Sequence, residues 1–168
     1  SIFLNNIARQ FIGASMARTK LQLPSTRRSL PIALMRSREK VMAPIRDMLR
    51  ASGLTEQQWR VLRILSEFGP QDLTQIAQQA CLLMPSLSRI IRNLAQNGLV
   101  IRASNAQDRR RQTVVISPAG QQLIDDNLEQ ATQIAANYKD QLGAERYELL
   151  LDLLRELEQG LPVPVRGG

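Results

Sequence analysis

The side chains most capable of chemistry lie between Met84 and Arg111. Ser86, Ser88, Arg89 and Asn93 occupy one side of a helical repeat, with Arg92 on its flank and no acid among them. Arg102 follows, and then the run Asp108-Arg109-Arg110-Arg111. The segment holds six Arg and one Asp, a local charge of +5. Guanidinium groups and hydroxyls at this density, with a single carboxylate against six guanidinium groups, suit a polyanion, and their concentration on one short segment is the electrostatic footprint of a duplex DNA reader.

The flanking residues say how such groups would be held. Pro85 suits the first position of a helix, Leu87, Ile90, Ile91 and Leu94 recur at helical spacing, and Gly98 tolerates a left-handed stop, so a helix is expected from about Pro85 to Asn97. Leu99-Val100-Ile101 and Thr113-Val114-Val115-Ile116 are β-prone, and the polar link between them carries the Asp-Arg-Arg-Arg run. A reader helix followed by a basic hairpin is therefore predicted.

Upstream, Ser29 and Pro31 open a helix to about Ala51 that contains Pro44, which should kink it. Its apolar stripe of Leu34, Val41, Ile45 and Met48 is interrupted by Arg38. That guanidinium either pairs with an acid of a neighbouring helix, or lies along its own stem to reach water, or meets a carboxylate ligand with its planar fork. Thr55 and Gln58 have capping-box spacing, and Leu54 and Trp59 have the spacing of a hydrophobic staple. Trp59 is the single tryptophan, either staple and core or the aromatic wall of a ligand site, with Met42 a second candidate wall. Asp72 caps a short helix bearing Leu73, Ile76 and Ala77. Cys81, in an apolar turn, is expected to be a buried, inert thiol rather than a redox sensor.

Downstream, Ser117 and Pro118 start what is expected to be one long helix to Leu142, with Ile124, Leu128, Ala131, Ala135, Tyr138 and Leu142 in a stripe, followed after Gly143 by a helix carrying Tyr147, Leu150, Leu151, Leu154 and Leu157. That stripe asks for more apolar partner surface than one small domain supplies. The expected division is a basic extension over 1–28, a helical dimerisation region from 29–53 and 117–160, a DNA-binding domain over 54–116 and a tail over 161–168. The extension fits an upstream segment, a DNA-touching arm or a targeting sequence.

Charge is unevenly placed along the 168 residues. The net +7 combines five bases and no acid in residues 1–30 with nine acids against three bases in 117–160, so one end of the molecule suits nucleic acid and the other does not. With one cysteine and no histidine, an intrachain disulfide framework and His-based metal or triad chemistry are excluded. No glycine-rich phosphate loop, nucleophile elbow or converging carboxylate pair is present, and Asp125-Asp126 diverge on a helix, so no catalytic residue, metal or cofactor is expected. No apolar run reaches the roughly 20 residues of a membrane span. A cytoplasmic protein without a membrane partner is expected.

Two segments resemble the winged helix-turn-helix of the MarR family of bacterial regulators: Leu94-x-x-x-Gly98-Leu99-Val100, and Asp108-Arg109-Arg110 through Val114-x-Ile116-Ser117-x-x-Gly120. The likeness spans about Ser29 to Gln159. Within it, Ile32-Ala33-Leu34, Arg38-Glu39, Leu54 to Arg60 and Pro85-Ser86-Leu87 are similar to the branch that represses homoprotocatechuate (4-hydroxyphenylacetate) degradation operons. The resemblance implies a mainly α fold with a small β-hairpin wing, and a homodimer on a pseudo-palindromic operator in double-stranded DNA, released by a small aromatic acid. Two reader helices about a two-fold axis would reach major grooves about 34 Å apart. Ser86, Ser88 and Arg89 would face bases, with Arg92 at the edge or on phosphate. Arg110 corresponds to the family's minor-groove arginine, oriented by Asp108, while Arg102, Arg109 and Arg111 suit phosphates. Arg38, Met42 and Trp59 would line the effector cleft. A DNA-architectural protein, or a regulator without an effector, is the rival reading.

Overall fold

The computed structural model describes residues 25–104 and 112–160. The chain divides into two compact units, residues 1–39 and residues 40–168. Helix α1 runs over Leu30–Ser52 and continues through Pro44; it belongs to the first unit up to Glu39 and to the second beyond it. The elements that follow are α2 (Glu56–Phe68), β1 (Gln71–Asp72), α3 (Leu73–Gln79), α4 (Met84–Gln96), β2 (Val100–Ser104), β3 (Gln112–Ile116), α5 (Pro118–Asp126), α6 (Leu128–Leu142) and α7 (Ala144–Gly160). The fold is mainly helical with a small antiparallel sheet, as the residue pattern predicts.

Local signals explain most of the boundaries. Thr55 and Gln58 form a reciprocal capping box at α2: Gln58 N–H donates to Thr55 Oγ1 at 3.2 Å, and Thr55 N–H to Gln58 Oε1 at 2.8 Å. Asp72 and Gln75 repeat the device at α3. Helix α4 ends in a Schellman motif, with Leu99 N–H on Leu94 O at 2.9 Å, Gly98 N–H on Ala95 O at 3.0 Å, and Gly98 at φ +71°. Between these caps, Leu62 and Leu65 of α2, Ile76 of α3, Leu87, Ile91 and Leu94 of α4 and Val114 of β3 are fully buried in one core. Each such side chain contributes about 1.5–3 kcal/mol relative to exposure.

The wing strands pair from Val100 opposite Ile116 to Ser104 opposite Gln112. A third strand, β1, pairs on the other side of β3 with Gln71 opposite Val114 and Asp72 opposite Thr113. Two residues with no alternation of polarity give no strand signal; only the distant partner creates it. This β1 pairing seats the start of α3 against the wing.

Three expectations change. The helix from Pro118 is not continuous to Leu142, because Asn127 interrupts it: its Nδ2 donates to Leu123 O at 2.8 Å and to Ser52 Oγ at 3.1 Å, the competition with backbone bonding that makes Asn a poor interior residue. The break rotates the stripe, so that Ile134 is buried, Ala135 is exposed and Leu128 is 57% exposed. Cys81 is exposed rather than buried. It occupies the left-handed position closing α3 at φ +51°, with Leu82 N–H on Ala77 O at 2.9 Å; a side chain at that outward corner leaves the core.

Candidate nucleic-acid interface and ligand cavity

Helix α4 buries Leu87, Ile90, Ile91 and Leu94. That fixes its rotation: Arg89, Arg92 and Asn93 are exposed, and Ser86 and Ser88 are half-buried on the flanks of the same face. The five groups therefore stand together on a surface without acids, as their spacing predicts. Arg102 is exposed on β2, opposite Val114 of β3. Asp108, Arg109, Arg110 and Arg111 lie outside the described residues, as do most of the 1–28 extension and the 161–168 tail.

The angle of α4 is set by bonds that the sequence reading does not foresee. Arg60 of α2 donates from Nη1 to Ala80 O at 2.6 Å and pairs through Nη2 with Glu56 at 3.9 Å. The carbonyl of Ala80, the residue that caps the end of α3, thus has a charged donor, and the turn that aims α4 is tied to α2. At the other end, Ser117 Oγ donates to Gly98 O at 2.6 Å and accepts from Gly120 N–H at 3.0 Å, while Ser117 N–H donates to Leu99 O at 3.0 Å. The end of the reader helix, the base of the wing and the start of α5 meet at this junction. A Cβ on Gly120 would collide with the Leu99 carbonyl oxygen and lie 2.9 Å from Ile116 Cγ1.

A cavity of about 450 Å³ lies between α2 and the α5–α6 pair, lined by Trp59, Arg63, Ser66, Glu67, Ile124, Leu128, Ala131, Thr132 and Ala135. Ser66 Oγ donates to Gln121 Oε1 at 2.9 Å, which ties α2 to α5 beside it. Trp59, only 6% exposed, is both a core residue and a wall, so the two sequence readings of it are compatible. Met42 is half-buried on α1 and is not among the lining residues. Arg38 belongs to the first compact unit, where its exposed guanidinium pairs with Glu39 at 3.1 Å. The cation that does line the cavity is Arg63, one helical turn from Trp59. In sequence it reads as an ordinary surface residue of α2, because only the return of α5 and α6 makes it a wall.

Beyond the cavity, Tyr138 Oη donates to Val41 O at 2.6 Å, fastening α6 to α1. Burial raises the Tyr138 phenol above its ordinary value of 10.0, and the neighbouring Tyr147 raises it further. It therefore remains a donor throughout the neutral range. The terminal helix α7 is different: it buries no residue, and Leu149, Leu150, Leu151, Leu153 and Leu154 are each exposed. Among the described residues, no helix is long and apolar enough to cross a membrane.

Comparison with known proteins agrees with this arrangement. Residues 54–111 match the MarR family model. The chain is 37% identical over 129 residues to the HTH-type transcriptional regulator FarR of Neisseria gonorrhoeae, covering 77% of this chain and 88% of that one. It is 36% identical over 128 residues to the homoprotocatechuate degradative operon repressor of Escherichia coli, covering 76% and 86%. The crystal structure of NadR in complex with 4-hydroxyphenylacetate superposes with a TM-score of 0.72 at 36% identity, covering 82% of this chain and 97% of that one. A reader helix, a wing and flanking helices in this order, with relatives matched over most of their length, place the chain in the MarR family of transcriptional regulators.

Proposed function

We propose that the protein is a homodimeric repressor of an aromatic-acid catabolic operon, binding a pseudo-palindromic operator and released by a phenolic carboxylate. The observation that carries the effector part is the cavity between α2 and α5–α6. Its volume falls in the usual range for small-molecule sites. Trp59, Ile124, Leu128, Ala131 and Ala135 offer apolar and aromatic walls to a ring, Ser66 and Thr132 offer hydroxyls, and Arg63 offers the fork of donors that a carboxylate takes. Arg63 makes no hydrogen bond or ion pair among the described residues. We assign it the anchoring role that the sequence pattern gives to Arg38. The names of two relatives, the homoprotocatechuate operon repressor and NadR bound to 4-hydroxyphenylacetate, support the choice of ligand class.

The cavity joins a helix that positions the reader to helices of the acidic layer. A ligand that binds one arrangement of these elements better than another changes the spacing of two reader helices, and a tenfold loss of DNA affinity needs only about 1.4 kcal/mol of such coupling. The test is a DNA-binding titration with and without homoprotocatechuate or 4-hydroxyphenylacetate. Wild type is expected to lose at least tenfold in affinity with one of the acids, Arg63→Ala to bind DNA normally but ignore the acid, and Arg38→Ala to respond like wild type. A deaf Arg38→Ala beside a responsive Arg63→Ala would return the anchor to Arg38. Silence from all three would exclude these acids and favour the reading without such an effector.

The wing makes a separate prediction. Arg110→Ala is expected to weaken operator binding more than tenfold with Tm and oligomeric state unchanged, since the charges of the Asp108–Arg111 run are expected to serve DNA rather than the core. Arg111→Ala is expected to act more mildly and to lower the salt slope by about one. Wild-type affinity for Arg110→Ala across salt concentrations would remove the wing from the interface.

A further inference from the structure

We infer that Asn93 is an additional base-reading residue, presented to DNA as a donor only, and that Gln58 is the positioning residue that orients it. This rests on α4 being the reader helix. Thr55 N–H can only donate, so the Gln58 atom 2.8 Å from it is the acceptor Oε1. The other terminal atom of Gln58 is then its amide nitrogen, which lies 2.6 Å from a terminal atom of Asn93. That atom must accept, so it is Oδ1. Asn97 Nδ2 approaches the same oxygen at 3.2 Å. An amide oxygen has two lone pairs, and both are engaged.

The consequence is a restriction on what Asn93 can read. Asn93 is exposed on the face that carries Arg89 and Ser86, four and seven residues earlier. An asparagine usually recognises adenine with both ends of its amide, accepting from N6 and donating to N7. Here the accepting end is consumed inside the protein, and only the NH₂ group faces outward. Such a group fits base edges that present acceptors in the major groove, the O6 and N7 of guanine or the O4 of thymine. Cytosine, which presents only its N4 donor there, gains nothing from it, and adenine keeps one of its two usual bonds, at N7, while its N6 donor is left without a partner.

The test exploits the capping box. Glu at position 58 can still accept from Thr55 N–H, because Thr-x-x-Glu is an equally good box, so Gln58→Glu should fold with a near-native Tm. It has no donor for Asn93, whose amide must then turn its NH₂ toward the carboxylate and its oxygen outward. Binding sites would be selected from a random duplex pool with wild type, Gln58→Glu and Asn93→Ala. Wild type is expected to prefer guanine or thymine at one position in each half-site, Asn93→Ala to lose preference there alone, and Gln58→Glu to shift it toward cytosine or adenine by on the order of tenfold. Unchanged base preference in both variants would overturn the inference, even if Gln58→Glu bound every sequence more weakly through its added charge. A wild-type pool without any enriched sequence would sink the reader-helix assignment itself, and this inference with it.

Discussion

Leu154→Asp is expected to yield a monomer that no longer binds its operator, with affinity reduced more than a hundredfold, while the winged unit of each chain stays folded. Helix α7 buries nothing within one chain, yet presents Leu149, Leu150, Leu151, Leu153 and Leu154 at 37 to 57% exposure. A contiguous apolar face of that kind marks an interface, and a carboxylate placed in it costs several kcal/mol once the partner has excluded water. Position 154 separates the roles cleanly because its side chain has no core contact to lose. Leu128 would not serve as well, since it also lines the cavity. Light scattering reads the mass and a titration reads DNA binding; loss of one without the other would break the link between assembly and recognition. A native chain that is monomeric at micromolar concentration would remove the two-fold docking proposal.

The second large effect is expected at Gly120. A methyl group there meets the Leu99 carbonyl oxygen and the Ile116 side chain, and the Leu99 backbone cannot withdraw, because Leu99 O already accepts Ser117 N–H and Leu99 N–H closes the Schellman motif of α4. Gly120→Ala should therefore cost about 3 kcal/mol or more, lowering Tm by roughly 6 to 12 °C for a chain of this size. Because the junction joins reader helix to wing, DNA affinity should fall with it. Gly143→Ala is the comparison. That glycine has φ +81° and ψ 145° with open space around it, so the cost is the backbone strain alone, about 1–3 kcal/mol. Calorimetry showing equal losses at the two positions would mean that the close approach at Gly120 is not what the residue serves.

Much of the fold was readable because its boundaries are written locally. Thr55 with Gln58, Pro85 with Gly98, and Ser117 with Pro118 each place a donor, an acceptor or a backbone conformation within four residues or one helix of where it acts. The reader face was readable for the same reason, since burial of Leu87, Ile91 and Leu94 leaves Arg89 and Arg92 no other side. What escaped depends on segments far apart in the chain. Strand β1 exists because β3 lies beside it. Asn127 breaks a helix because Ser52, 75 residues away, receives part of its amide. Arg63 becomes a cavity wall only when α5 and α6 return to α2, and the role of Asn93 depends on Gln58, 35 residues earlier. Arg38 interrupts a stripe, which is a local irregularity, whereas the cavity is a non-local product.

Sequence-specific DNA recognition by paired reader helices is tested most directly by selection of bound fragments with the purified native protein. The expected outcome is one enriched motif with two-fold symmetry, its half-sites about one helical turn apart, protected by two chains and lost with Arg89→Ala. Recovery of fragments that share no motif, bound equally well by Arg89→Ala, would contradict it.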